Sequence, residues 1–309
     1  MRLLKNSDRQ QEARTGNGYD SRCPVRAYLS LCRVELVAPA GASAGPQVVR
    51  AVGCRAPSGQ YWPPRTPLAV LLVGVLQMLR NGLTLAKSAA VAGCSEGTLA
   101  GYYKELLGMI AALGVVQADG TWLTSEELTN WLAEMAEAGE LVCVDGTWTR
   151  CPKPSKWLAQ KPFYDSKHKI HAYNTQVLAT QHGDVLAVHG GWPGRVTEAE
   201  QLRYSDFAQA LRDSGVRPVT DRGYRPARED MRVLCAAGNH RTPQPGDREI
   251  TAVRPECERA VSLLKNWQIM QRTRLGWATH HLVTAAVAVL VGIQTYGHRT
   301  PEHTTLTNP

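Results

Sequence analysis

Leu141-Val142-Cys143-Val144-Asp145-Gly146-Thr147 is an apolar run that ends on an aspartate with glycine next. Four consecutive apolar residues bounded by turn chemistry read as a buried strand leaving the sheet at its acidic end. The same shape recurs in Pro218-Val219-Thr220-Asp221-Arg222-Gly223-Tyr224. A third acid, Glu258, lies on a predicted helix between Arg254 and Lys265. Asp221 stands 76 residues beyond Asp145, and Glu258 stands 37 beyond Asp221. Converging carboxylates suit oxygen-loving divalent ions and phosphodiester chemistry. Each has a plainer reading. Asp before Gly is common turn chemistry, Asp221 beside Arg222 can be an ion pair, and Glu in a first helical turn complements the helix dipole. Glu256 rivals Glu258, but two residues apart on a helix they face directions about 200° apart. The seven-residue step from Glu258 to Lys265 puts those two on one face.

Outward from these runs the pattern predicts strands over 141–149, 170–180 and 184–190, the last two joined by a turn at 181–184. A helix over about 198–214, a strand at 217–221, a shorter helix near 226–237 and a polar loop at 238–248 follow. A helix over 255–272, starting at Pro255, and an apolar helix over 278–296 close the series. Three antiparallel strands followed by alternating helix and strand is the order of a ribonuclease-H-like α/β fold. Upstream, helices are predicted over about 67–80, 83–92 and 96–113. Gly93-Cys94-Ser95 forms the turn and Ser95 the N-cap of the last helix, which is a helix-turn-helix layout. Gly97 and Gly101 weaken that last helix, and Lys104 is the only base in its first turns. Thr124 and Glu127 fit a capping box for a solvent-facing helix over 125–138.

A formal charge of +8 with 43% hydrophobic residues describes a chain able to bury a core and suited to a polyanionic partner. Arg150, Lys153, Lys156, Lys161, Lys167 and Lys169 fall in one stretch with His168, His171, Trp157, Phe163 and Tyr164. Basic and aromatic residues so interleaved suit phosphate contact with base stacking, where the plainer reading is a solvated basic hairpin. The eight cysteines form no Cys-x-x-Cys pair and no zinc spacing, as expected of reduced thiols in a cytosolic protein. No signal peptide is expected at the start, and the apolar stretches of about 12 residues are too short to span a membrane.

Five stretches in one order resemble the DDE transposases of bacterial insertion sequences and the related PIF/Harbinger elements. They are Val-Asp-Gly-Thr (144–147), Tyr-Asp-Ser-Lys-His-Lys-Ile-His-Ala-Tyr-Asn (164–174), Gly-Gly-Trp-Pro-Gly (190–194), Asp-Arg-Gly-Tyr (221–224) and Glu-Arg-Ala-Val-Ser-Leu-Leu-Lys (258–265). Arg254 and Lys265 fit the family's helix signature around Glu258, with Thr251 where a tyrosine is usual and Glu198 where an aspartate is usual. The resemblance implies a ribonuclease-H-like catalytic domain over 139–297 after a helix-turn-helix region over 61–138. It leaves 1–60 as linker and 298–309 as tail. It implies Asp145, Asp221 and Glu258 as catalytic residues and ligands of two Mg2+ or Mn2+ ions. Lys167, Lys169, His171, Arg254, Lys265 and Lys104 are then the expected DNA contacts. The implied activity nicks element ends and joins the 3′-hydroxyl to target DNA. The expected partners are double-stranded DNA carrying terminal inverted repeats, target DNA and further copies of the chain, in the bacterial cytosol. The alternative is a catalytically inactive, transposase-derived DNA-binding protein.

Overall fold

The computed structural model describes residues 66–118, 121–235 and 247–296. The expected linker over 1–60, most of the loop at 238–248 and the tail at 298–309 lie outside the described residues. Helices α1 (Leu68–Asn81), α2 (Leu85–Ala92) and α3 (Glu96–Ala111) come first. Ser95 caps α3, its Oγ accepting from Thr98 N–H at 3.1 Å. A two-residue hairpin, β1 (Val115–Val116) with β2 (Trp122–Leu123), leads to α4 (Leu128–Glu137). Thr124 N–H and Oγ1 both donate to Glu127 Oε2, at 3.0 and 2.8 Å. With that carboxylate holding both groups, the hydroxyl caps no helical amide. The helix starts at Leu128 instead of 125.

The sheet is built from β3 (Val142–Arg150), then, after the one-turn helix α5 (Trp157–Gln160), the two-residue β4 (Tyr164–Asp165), β5 (Ile170–Thr180) and β6 (Val185–Pro193). β5 pairs antiparallel with β3, β4 and β6. Beyond β3 the predicted strand at 217–221 is reduced to one parallel bridge, Cys143↔Val219, and Val219 bridges in turn to Leu234. The spatial order β6, β5, β3, Val219, Leu234 is consistent with a ribonuclease-H-like fold. The helix predicted near 226–237 does not form. A 3-10 turn, Arg222–Ala227, takes its place with Pro226 inside it, and Leu234 joins the sheet edge.

Two further expectations are corrected. The helix predicted over 198–214 is broken into α6 (Glu198–Arg203) and α7 (Ala208–Ser214). The amide of Asp206 leaves the helical ladder to donate to His189 Nδ1 at 3.0 Å, and Phe207 drops into the core. The helix predicted from Pro255 to 272 instead runs as α8 (Asp247–Lys265), with α9 (Gln268–Gln271) separate. Pro255 sits inside α8 because Val253, Cys257, Ala260 and Leu264 form one buried stripe that continues across it. That burial outweighs the missing proline amide, and Arg254 remains helical. The last helix, α10 (Trp277–Tyr296), is long and apolar enough to cross a membrane. Here it buries His280, Val283, Val287 and Leu290 in the core.

Successive β3 residues point to opposite faces. Val142 and Val144 join Leu178, Leu186, Leu202 and Leu211 on one side. Cys143 joins Val177, Val219, Cys257 and Val287 on the other, in a cluster continuous with Leu71 and Leu99 of α1 and α3. The sheet is therefore covered on both faces, and Asp145 shares the face of Cys143 toward α8.

Candidate active site

The parallel bridge fixes the first relationship. Cys143 faces Val219, and Val144 N–H donates to Val219 O while Val219 N–H donates to Val142 O, each at 2.8 Å. Two residues onward from each bridge partner stand Asp145 and Asp221. Equal offsets in a parallel pair put both carboxylates at one level on one face. Each is locally anchored, Asp145 Oδ1 by Gly146 N–H at 2.8 Å and Asp221 Oδ1 by Gly223 N–H at 2.7 Å.

Both line a cleft of about 510 Å3 that also includes Trp148, Asp165, Lys167, His168, Arg195, Glu198, Gln201 and Gly223. Its floor is a chain of hydrogen bonds. Tyr224 OH donates to Gln176 Oε1 at 2.7 Å, Gln176 Nε2 to Gln201 Oε1 at 3.0 Å, and Gln201 Nε2 to Val196 O at 2.7 Å. The Glu198 carboxylate lies against Gly223. A Cβ at residue 223 would sit 1.9 Å from Glu198 Oε2 and 3.0 Å from Asp221 Oδ1. An alanine at the third position of Asp-Arg-Gly-Tyr would push the Glu198 carboxylate aside.

The electrostatics follow from this crowding. Burial pushes the Asp145 carboxyl up to about 6, and the charges of Asp221 and Glu258 add to the rise. Gly146 N–H and the Arg254 charge oppose it. Burial also raises Glu198, aided by Asp221, Asp145 and Asp165, while Lys167 pulls it down. Asp145 and Glu198 are both raised, with the Asp221 charge contributing to each, so positive charge among them is favoured, and a divalent cation with oxygen ligands fits that donor set.

Glu258 comes from α8 beside this cluster. The side-chain contact of Cys257 with Cys143 holds the helix to the face of β3 that carries Asp145. Glu258 is exposed and does not line the cleft, yet its charge reaches Asp145. Glu256 is turned elsewhere, against the β5–β6 turn at Gly183 and paired with Arg259 at 3.2 Å. Lys265 is turned inward. Its Nζ donates to Trp148 O and lies 4.5 Å from the centre of the Trp148 ring, and burial lowers its pKa to about 8. Lys104 lies on the exposed face of α3 over the Tyr103 ring. Of the other expected DNA contacts, Lys167 lines the acidic cleft. His171 packs at a tilt against Tyr164, ring centres 5.4 Å apart, in a neighbouring hollow with Trp157, Lys161 and Arg195. Lys169 has a positive φ of 55° at the turn into β5. The residues 150–171 form a short helix and turn leading to β4 instead of a simple hairpin.

From the sequence Glu198 stood only as a replacement for a usual aspartate, and neither it nor Asp165 was given a place in the site. Asp165 accepts from Lys167 N–H at 2.8 Å and lies 2.6 Å from His168 Nδ1. The signal for Glu198 was its place four residues after Gly194, at a position where the resembling family has an acid.

Comparison with known families now has a geometry to meet. Residues 144–294 match the model of the DDE superfamily endonuclease. The matched stretch begins one residue before Asp145 and ends within α10, so it takes in the sheet, the cleft and α8. Among solved structures the chain is similar to one described as "Mos1 transposase paired-end complex with left transposon end". The identity is 13% over 93% of this chain and 92% of that one, with a TM-score of 0.20, too low to bear on the fold. No curated protein matches the chain.

Proposed function

We propose that the chain is a metal-dependent DNA transposase of the bacterial insertion-sequence and PIF/Harbinger kind, with its catalytic part in the matched residues 144–294. In this reading it nicks element ends and joins the released 3′-hydroxyl to target DNA. The single observation that carries the reading is the parallel register of Cys143 with Val219, which sets Asp145 and Asp221 side by side in an acidic cleft within the DDE-matched stretch. Asp145 and Asp221 would hold two Mg2+ or Mn2+ ions, with Glu258 from α8 as third ligand. Such ions, when bound, activate the attacking oxygen and neutralise charge on the leaving one. Gly146 and Gly223 amides orient the aspartates, and Gly223 leaves room for the Glu198 carboxylate. Lys167 and Arg195 at the cleft wall, with Lys169, His171 and Arg254 nearby, would hold the phosphate backbone. Lys104 on α3 would meet DNA from the helix-turn-helix region, and a second copy of the chain would hold the second end. The expected setting is the bacterial cytosol.

Because Glu198 lines the cleft and Glu258 does not, the third ligand is the sharpest point to test. Asp145→Asn, Asp221→Asn and Glu258→Gln should each nearly abolish nicking of DNA bearing the element ends in Mg2+, with DNA binding retained. Glu256→Gln should nick normally. Loss of nicking in Glu198→Gln with full activity in Glu258→Gln would transfer the third ligand to Glu198. Wild-type protein that binds its ends yet never nicks in Mg2+ or Mn2+ would make the chain an inactive, DNA-binding descendant.

A further inference from the structure

A second group of metal-ligating side chains lies apart from the acidic cleft. His189 comes from β6, Asp206 from the break between α6 and α7, and His281 from α10. Their donor atoms all lie within 4.8 Å of one another. His189 Nδ1 is 3.2 Å from Asp206 Oδ2, and His281 Nε2 is 3.5 Å from the same oxygen. The imidazole rings stand 4.9 Å apart, and Trp192 walls the site at 4.8 Å from the His189 ring. We propose that His189, Asp206 and His281 form a zinc-type site, with a water from the open side as fourth ligand.

Three observations support a cation there. First, His281 Nδ1 lies 3.2 Å from Gly190 O, an acceptor only, so that nitrogen carries a proton, and in the neutral ring Nε2 offers its lone pair toward Asp206. An outer N–H held by a backbone carbonyl is the usual support of a metal-binding histidine. Second, the Asp206 amide donates to His189 Nδ1 at 3.0 Å, so this nitrogen too presents a lone pair, and a proton placed on it would meet the amide N–H. With both rings neutral, a nitrogen of each histidine and a carboxylate oxygen lie within reach of one cation, the His189 nitrogen being engaged by the Asp206 amide in its absence. A cation relieves that arrangement, exchanging the amide hydrogen bond for a bond to the metal. Third, the spacing suits a tetrahedral ion. Zinc bonds of about 2.0–2.1 Å imply donor separations of about 3.3–3.4 Å, and the observed 3.2 and 3.5 Å straddle them.

The scaffold is rigid where it must be. A Cβ at Gly190 would sit 2.2 Å from Thr284 Oγ1, and one at Gly191 would sit 2.7 Å from Trp277 O. The backbone of β6 therefore presses directly on α10, which fixes His189 against His281. Asp206 is 44% exposed at its side chain, which gives an ion its way in. The nitrogen-rich donor set favours Zn2+ over the Mg2+ suited to the all-carboxylate cleft. A bound ion would tie α10, β6 and the end of α6 together, and α6 begins at Glu198 in the cleft.

The test uses the full chain, stripped with a chelator and titrated with Zn2+ against a chromophoric competitor, then with Co2+ for its visible spectrum. The expected result is one site per chain, with the intense visible bands of four-coordinate cobalt. Asp206→Asn, at an exposed position that does not disturb the core, should weaken Zn2+ at least about tenfold, as should His281→Gln. The double variant Asp145→Asn/Asp221→Asn should keep the site, which separates this inference from the proposed nuclease. Zinc bound equally by wild type and Asp206→Asn would overturn it. So would binding lost in the double aspartate variant, six-coordinate cobalt, or proton uptake by the histidines without zinc binding.

Discussion

Lys265→Met separates a phosphate-binding lysine from a buried one. Burial lowers the Lys265 pKa from 10.5 to about 8. At about 1.36 kcal/mol per pH unit, holding the ammonium there costs the folded chain about 3 kcal/mol near neutral pH. The folded pKa lies below the unfolded one, so between about 8 and 10.5 the unfolded chain binds more protons and stability rises with pH. Below about 8 the cost is full, and above about 10.5 it is gone. Between roughly pH 7 and pH 9.5 the wild type should gain about 2 kcal/mol relative to Lys265→Met, which has no ammonium to desolvate. Urea unfolding of both proteins at half-unit pH intervals measures the difference directly. Parallel stability curves would refute the reasoning. They would mean that the ammonium is solvated in the folded chain, and Lys265 would return to the list of DNA contacts.

Three further outcomes are expected. Gly223→Ala should leave the fold intact but cut nicking by up to about 10²-fold in a supercoiled-plasmid assay, because the added carbon falls 3.0 Å from the proposed ligand oxygen Asp221 Oδ1 and, at 1.9 Å from Glu198 Oε2, drives that carboxylate into the same space. Gly190→Ala should lower stability by about 1–3 kcal/mol in urea unfolding, since the new carbon meets Thr284 on the packed face of α10. Replacing Lys167 and Lys169 with alanine should weaken DNA binding for every sequence and reduce the salt slope by about 0.9 per lost phosphate contact, an effect read by titration at several salt concentrations.

What the sequence disclosed and what it hid divides along physical lines. The strand run 141–147 and the turn signals around 181–184 are local, so the sheet's central strands and hairpin were readable to within a few residues. The neighbouring of the 143 and 219 segments followed only from the ribonuclease-H-like order, because Val219 is a one-residue partner with no alternation around it. Pro255 looked like a helix start by its chemistry, but the buried stripe from Val253 to Leu264 decided the matter through packing. Spacing placed Lys265 on the face of Glu258, yet spacing gives direction around a helix and not depth, so its turn toward Trp148 was invisible. Glu198 and Asp165 reach the cleft from separate segments, and His189, Asp206 and His281 meet from three elements with no motif between them. Such clusters exist only once the chain has closed.

The one-residue bridge at Val219 also bears on the order in which the molecule assembles. The β5–β6 hairpin closes over the short turn at 181–184, whereas Asp145 and Asp221 meet across 76 residues of chain. Bringing such distant segments together costs on the order of 2 kcal/mol more chain entropy than closing the hairpin, and only two backbone hydrogen bonds directly secure the contact. A nascent or partly opened chain can therefore hold three paired strands while its two aspartates remain apart. If the proposed nuclease reading holds, the juxtaposition of Asp145 and Asp221 would be a late gain in folding and an early loss in unfolding, and cutting would depend on it.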